Sequence, residues 1–328
     1  MSNRWPGGLI RKTPVTPAGP TQNGAAPGVW TLAEAAFWTK QGLWPIAGNV
    51  ADGTLAIFAL GGTTTTRQKY TYSGCVVASA TASSATTNLG SAAGNSTAGI
   101  FALGRSGTIR DKYTYVGDIN AVATAATAGV SGGSSAGNST VGIFALGSVT
   151  TTRDKYTYAG CVVSAGGAAT VASTNGSAAG NSTVGIFALG SDGSAGTTTR
   201  NKYTYAGDVV AAGGAATTAS FRGSAAGNGT TGIFALGQTV VPNASSTIRD
   251  KYTYASCVVA AGGAATVASS RGSAAGNSVV GIFALGSGGG TARNRYTYAG
   301  CVVAAGGAAS STASCGAAAS NGTIGVNV

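Results

Sequence analysis

The most regular feature of the chain is an apolar run, Ile-Phe-Ala-Leu-Gly. It begins at Ile57, Ile100, Ile143, Ile186, Ile233 and Ile282, at spacings of 43, 43, 43, 47 and 49 residues. Apolar at every consecutive position and ended by Gly, it predicts a short strand covered on both faces. A basic-Tyr-Thr-Tyr run follows each copy, starting at Lys69, Lys112, Lys155, Lys202, Lys251 and Arg295, with an Arg two residues ahead (Arg67, Arg110, Arg153, Arg200, Arg249, Arg293). This run alternates: Arg153, Lys155 and Thr157 share one face of a strand, and Asp154, Tyr156 and Tyr158 the other. A small stretch ending at Asn138 and the segment Cys161-Val-Val-Ser-Ala supply two more strands, with Gly-Asn-Ser-Thr and Ala-Gly-Cys as turn-like joints. Four short strands in each 43–49-residue copy is the pattern of a β-propeller blade.

The spacing varies at one place only. From each Arg to the next Ile of the apolar run the distance is always 33 residues, whereas the gap between the run's Gly and the following Arg holds 5, 5, 5, 9, 11 and 6 residues. The insertions therefore emerge on one rim, and the two long ones, residues 191–199 and 238–248, are the candidate recognition loops, with Asp192, Ser194, Val240, Pro242 and Asn243 as their leading residues. A partial seventh copy ends the chain: Asn321-Gly-Thr-Ile-Gly-Val326 matches Asn181-Ser-Thr-Val-Gly-Ile186, again 33 residues after an Arg. This predicts that the C-terminal piece seals the ring against the first copy, in an all-β propeller of six four-stranded blades, with seven blades as the alternative.

Residues 1–48 read differently. All four Trp (Trp5, Trp30, Trp38, Trp44) and most of the Pro lie there, whereas all twelve Tyr lie beyond residue 69. The Pro-rich part predicts an extended arm. Thr31-Leu-Ala-Glu34 has the spacing of a capping box and predicts one short helix through Ala35, Ala36, Phe37 and Trp38, ended by Gly42 and Pro45. Such a helix is marginal alone and has to dock, either on its own propeller or on another protein. Trp5, Trp30, Phe37, Trp38 and Trp44 are the candidate anchor residues. The propeller then spans residues 49–328.

Charge and composition refine this picture. Only 8% of the residues are charged, with 19 Lys and Arg against 8 carboxylates, and 12 of the positive charges belong to the repeat. A cationic girdle for nucleic acid or an anionic glycan is one reading. The preferred one is packing of Arg against the neighbouring blade's Tyr, with the charged tips reaching solvent. An even spread around a ring disfavours nucleic acid as partner. Cys75, Cys161, Cys257 and Cys301 share one repeat position with Asp118 and Asp208 and read as small strand residues, too far apart for disulfides and not metal ligands; Cys315 is a leftover thiol. There is no His, the carboxylates recur with the blades instead of forming one distinct pair, and Ser and Thr lack a base. No catalytic, metal or cofactor residue is expected, nor a membrane span.

Two resemblances follow from these residues. The repeat of residues 49–328 is similar to kelch-like propellers, but most copies carry one Gly after Phe-Ala-Leu (Gly61-Gly62 is the exception) and the fourth strand has no Trp. The segments Asn3-Arg-Trp-Pro-Gly-Gly-Leu-Ile10, Pro27-Gly-Val-Trp-Thr-Leu-Ala-Glu34 and Gly42-Leu-Trp-Pro45 resemble the N-terminal part of tailed-bacteriophage virion proteins. That resemblance implies a virion protein, made in the host cytoplasm, attached to other virion proteins through residues 1–45. It would display its propeller, as a tail fibre or appendage, to a host-surface glycan or protein. The alternatives are a head or neck decoration protein and a lectin-like or nucleic-acid-binding propeller. Homo-oligomerisation is compatible with all of them.

Overall fold

In the computed structural model the described residues are 30–40, 53–241, 243–312, 314–322 and, for the backbone, 326–327. They fall into two compact units that divide between Asp52 and Gly53. In the first, helix α1 spans Leu32–Lys40. Its capping box is made: the Glu34 N–H donates to Thr31 Oγ1 at 3.2 Å, and the Thr31 N–H donates to the Glu34 carboxylate at 2.8 Å. The Phe37 and Trp38 rings meet edge to face with centroids 5.0 Å apart.

In the second unit each copy of the repeat folds as one antiparallel sheet. Blade 2 is representative: Ser91–Gly94 innermost, then Ala98–Ala102, Arg110–Thr114 and, outermost, Ile119–Ala123. Blades 3, 4, 5 and 6 repeat this order from inner strands Ser134–Gly137, Ser177–Gly180, Ser224–Gly227 and Ser273–Gly276. Blade 1 takes Leu55–Ala59, Arg67–Thr71 and Val76–Ala80 from the start of the unit and its innermost strand, Ala317–Ser320, from the chain's end. The molecule is therefore a six-bladed β-propeller, and the seven-blade alternative is excluded. The seventh partial copy forms no blade of its own. Its first strand completes blade 1, and Val326–Asn327 pairs with Ala225 and Ala226 of blade 5. The backbone of that last strand lies within 8 Å of the innermost strands of all six blades, inside the central channel.

The Gly and Ala content follows from this geometry. Six inner strands converge on one axis, and only small residues fit there. Every apolar second strand is buried on both faces, so its Ile and Phe pack against opposite neighbours. In blades 2 to 6 the innermost and second strands face each other as a Gly–Gly pair (Gly94–Gly99, Gly137–Gly142, Gly180–Gly185, Gly227–Gly232, Gly276–Gly281). A Cβ on Gly185 would stand 2.8 Å from the Ala136 Cβ of the preceding blade and 3.0 Å from the Tyr205 hydroxyl. In blade 1 alone the pair is Ser320 with Ala56. There the Ser320 hydroxyl donates to the Leu55 carbonyl at 3.1 Å, and the Asn321 side-chain oxygen accepts the Leu55 N–H at 2.8 Å.

Candidate functional site

Two closed rings and one open chain of inter-blade bonds hold the scaffold on which any site is built. The middle ring uses the repeated arginines. Each Nη2 donates to the residue one place after the next blade's own Arg: Arg67 to Asp111 (2.8 Å), Arg110 to Asp154 (2.8 Å), Arg153 to Asn201 (3.1 Å), Arg200 to Asp250 (2.8 Å), Arg249 to Asn294 (3.0 Å), and Arg293 to Gln68 (2.8 Å), which closes the circle. Each guanidinium also lies over the next blade's Phe ring, at 4.5–4.7 Å from its centroid, and five of the six, all but Arg110, have a Tyr ring at 5.8–5.9 Å.

These observations correct the expected solvent-reaching tips: the six Arg are 0–2% exposed. Their burial holds all six guanidinium groups below the usual arginine value, and they remain charged at neutral pH. The strand lysines are half-buried. Lys69 and Lys155 pair with Asp118 and Asp208 of the next blade at 3.3 and 2.9 Å, while Lys112 and Lys202 approach Cys161 and Cys257 at 3.7 and 3.9 Å. Most of the would-be girdle is thus spent on joints between blades. The cysteines are corrected too. Cys75, Cys161, Cys257 and Cys301 are not strand residues but sit in the turn before the fourth strand, in the left-handed region at φ 54–56°, as do Asp118 and Asp208.

A second ring lies on the rim where the apolar and Arg strands are joined. Six residues just before the innermost strands, all in the left-handed region (φ 55–63°), donate backbone N–H to the preceding blade's counterpart. Gly132 bonds Leu89 at 3.0 Å, Asn175 bonds Gly132 at 2.7 Å, and Arg222 bonds Asn175 at 2.8 Å. Arg271 bonds Arg222 at 2.8 Å, Cys315 bonds Arg271 at 2.8 Å, and Leu89 bonds Cys315 at 2.9 Å. This closed loop of peptide hydrogen bonds narrows the channel mouth to a space of about 30 Å³. On the opposite rim five turn asparagines form an open chain, each Nδ2 donating to the next blade's turn carbonyl, from Asn95 to Ser139 (3.1 Å) round to Asn277 and Gly53 (2.7 Å), whereas Asn321 Nδ2 donates to Thr54 Oγ1 of its own blade at 3.4 Å.

Beside the channel mouth the two long loops border a groove of about 490 Å³. Its walls come from Val149 of blade 3, Ser191 and Gly193–Gly196 of blade 4, and Val240 and Asn243 of blade 5; Asn175, Phe221 and Arg222 form the side nearest the axis. Gly193 takes φ +102° against the Val149 side chain, where a Cβ would be strained. Arg222 Nη1 donates to Gln238 Oε1 at 2.8 Å, and Gln238 Nε2 donates to Asn243 Oδ1 at 2.9 Å, a polar chain from the mouth to the loop tip. The Arg222 guanidinium also lies 4.9 Å from the Phe221 ring centroid.

Of the residues expected from the sequence, Ser194, Val240 and Asn243 line this groove. Asp192 does not. Its carboxylate turns back on its own loop, accepting the Ser194 and Ala195 N–H groups at 2.9 Å and the Ser194 hydroxyl at 2.7 Å, bonds that lower its pKa to about 2. It shapes the loop. Pro242, Trp5 and Trp44 lie outside the described residues. Trp30, Phe37 and Trp38 are on or beside α1, where Phe37 is exposed. Sequence reasoning missed Asn175, Phe221, Arg222 and Arg271. The signal was there: two places before the Ser-Ala-Ala-Gly strand the six copies read Leu, Gly, Asn, Arg, Arg and Cys. Among the described residues no group of His, Cys, Asp and Glu has metal-binding geometry, and no helix is long and apolar enough to cross a membrane.

No protein-family model matches this chain, and no curated protein matches it. Among solved structures, one titled "Structure of YjhT" superposes with a TM-score of 0.58 at 10% identity, covering 75% of this chain and 94% of that one. At that identity the likeness carries the propeller fold alone.

Proposed function

We propose that this chain is a non-catalytic display protein of a tailed-phage virion, a tail fibre or similar appendage, whose propeller recognises a saccharide on the host surface. The recognition half rests on the groove between the two long loops. The ring beneath is held by repeated, interlocking bonds, and the only large departures from the repeat meet in one concavity, as expected when a rigid scaffold carries a variable binding surface. The groove's mixture of a flat aromatic ring, amide groups and hydroxyls suits a polyhydroxylated ligand. The non-catalytic half is supported by the carboxylates: Asp111, Asp154 and Asp250 are buried and bound to Arg, and the chain has no His. The attachment half rests on the N-terminal resemblance and on the exposed apolar side chains of α1.

Two experiments test the two halves separately. Grafting the five-residue loop Ser148–Thr152 in place of residues 191–199 and 238–248 should abolish adsorption of the purified protein to host cells while leaving its thermal unfolding intact. Undiminished adsorption removes the groove from the proposal. A chain of residues 46–328 should fold yet be missing from purified particles, and normal incorporation would move the attachment site to the propeller.

A further inference from the structure

The channel mouth brings two arginines together without a counter-charge. Arg222 and Arg271 occupy the same position in adjacent blades, linked by the 2.8 Å backbone bond from the Arg271 N–H to the Arg222 carbonyl, and both line the small space at the mouth. Neither has a carboxylate within 4 Å among the described residues. Burial, and then the positive charge of Arg271, hold the Arg222 guanidinium below its usual value. The Arg222 Nε is shielded from solvent and lacks an acceptor. Both residues also sit in the left-handed region (φ 57° and 56°), where a side chain costs about 1 kcal/mol or more relative to Gly, and Gly132 at the same ring position shows that the ring does not require a side chain. Two like charges in a strained, half-enclosed position are unfavourable for the empty protein, and an oxyanion between them removes the repulsion and supplies the missing acceptors.

We propose that Arg222 and Arg271 form an oxyanion subsite, and that the groove's ligand is an acidic saccharide whose sulfate, phosphate or carboxylate group seats on this pair while the sugar lies along Phe221 and the long loops. The inference deepens the recognition reading and rests on it for the saccharide, but not for the anion. Arg222 belongs to both the mouth and the groove, so a ligand in the groove reaches the pair without crossing the channel. Asn175, at the preceding ring position, borders both spaces as well. Within the six-fold repeat only these two blades carry a cation at this position, which places the subsite beside the two long loops and nowhere else on the rim.

The test uses the full chain and isothermal titration at constant ionic strength with three probes: sodium sulfate, galactose and galactose 6-sulfate. Variants Arg222→Asn and Arg271→Asn remove one charge each and keep a residue that the ring already tolerates at Asn175; unchanged thermal unfolding verifies that they fold. Galactose 6-sulfate is expected to bind at least about tenfold more tightly than galactose, inorganic sulfate to compete with it, and each variant to weaken it about tenfold, with galactose binding unaltered in Arg271→Asn, whose residue lies outside the groove wall. Equal binding of the two sugars, anion affinity unchanged in both variants, or no anion binding by the wild type would each overturn the subsite. None of these results bears on the loop-graft adsorption assay, so failure here and failure of the recognition reading are separately visible.

Discussion

The buried clamps make a quantitative prediction about Asp111. Its carboxylate accepts Arg67 Nη2 at 2.8 Å, the Ser84 N–H at 2.9 Å, Asn120 Nδ2 at 3.1 Å and the Ser84 hydroxyl. Substituting Asp111→Ala leaves a guanidinium without its counter-charge in a site that water does not reach, together with orphaned Ser84 donors. Breaking a buried pair from one side costs about 3–5 kcal/mol. Asp111→Asn is a different experiment, because the protein already contains that clamp. In the blade 3–4 joint the Asn201 side-chain oxygen accepts Arg153 Nη2 and the Thr170 N–H, each at 3.1 Å, while its amide donates to the Thr170 hydroxyl at 2.7 Å. Every partner is kept, and only the charge assistance is lost, worth about 1 kcal/mol. Replacing both partners with apolar residues, Arg67→Met with Asp111→Leu, should also cost less than Asp111→Ala, because no charge is stranded. Urea unfolding followed by circular dichroism measures all three. An Asp111→Ala loss below about 1 kcal/mol, or an Asp111→Asn loss equal to it, would refute the assignment of the clamps as the joints of the ring.

Removing residues 315–328 takes away the innermost strand of blade 1 and should replace one cooperative thermal transition with a broad, low-temperature one; an unchanged transition would mean that closure contributes little. Gly185→Val drives side-chain atoms into Ala136 and Tyr205 and should lower stability by about 1–3 kcal/mol, read as a shifted urea midpoint. Burial raises the pKa of the tyrosines, Tyr252 and Tyr296 up to about 12. The folded state then holds more protons than the unfolded chain above about pH 10, so this stability is complete below that pH and lost as pH climbs through the folded values. The buried arginines act in the opposite direction but are half as many as the twelve tyrosines. Phenolate absorbance should therefore appear in one step together with loss of the circular dichroism signal. Gradual ionisation from pH 10 with the fold intact would count against tyrosine burial.

The repeat, its strand content and its closure could all be read from the sequence because they depend on local pattern: a doubly apolar strand, an alternating strand and a constant 33-residue interval. The fate of the arginines could not be read that way. An Arg in a polar, alternating strand looks solvated, and its partner stands 44–50 residues away in the next blade, except for Arg293, whose partner Gln68 is 225 residues back. The left-handed conformation of Cys161 and its equivalents was hidden for another reason. Ala-Gly-Cys reads as a Gly turn followed by a strand, whereas here the Gly and the next residue both take positive φ. The loops were visible as insertions. The arginine pair was not, because each is one residue in one copy and becomes notable only when the ring places the two side by side.

The Ser320–Ala56 pair, against Gly–Gly pairs in the other five blades, bears on assembly. Near-identical strands invite wrong partnerships: Ser-Ala-Ala-Gly occurs at 91–94, 177–180, 224–227 and 273–276, and each could dock on a neighbour's edge. The strand Ala317–Ser320 carries a mark that distinguishes it. A Cβ at the matching position of blades 2 to 6 falls 2.2–2.9 Å from a tyrosine hydroxyl, so Ser320 would force that tyrosine to shift there, whereas in blade 1 its hydroxyl finds the Leu55 carbonyl. Five joints of the circle share one key, and the sixth has its own. Among near-identical edges Ala317–Ser320 is thus matched to blade 1, and it meets that blade instead of invading another.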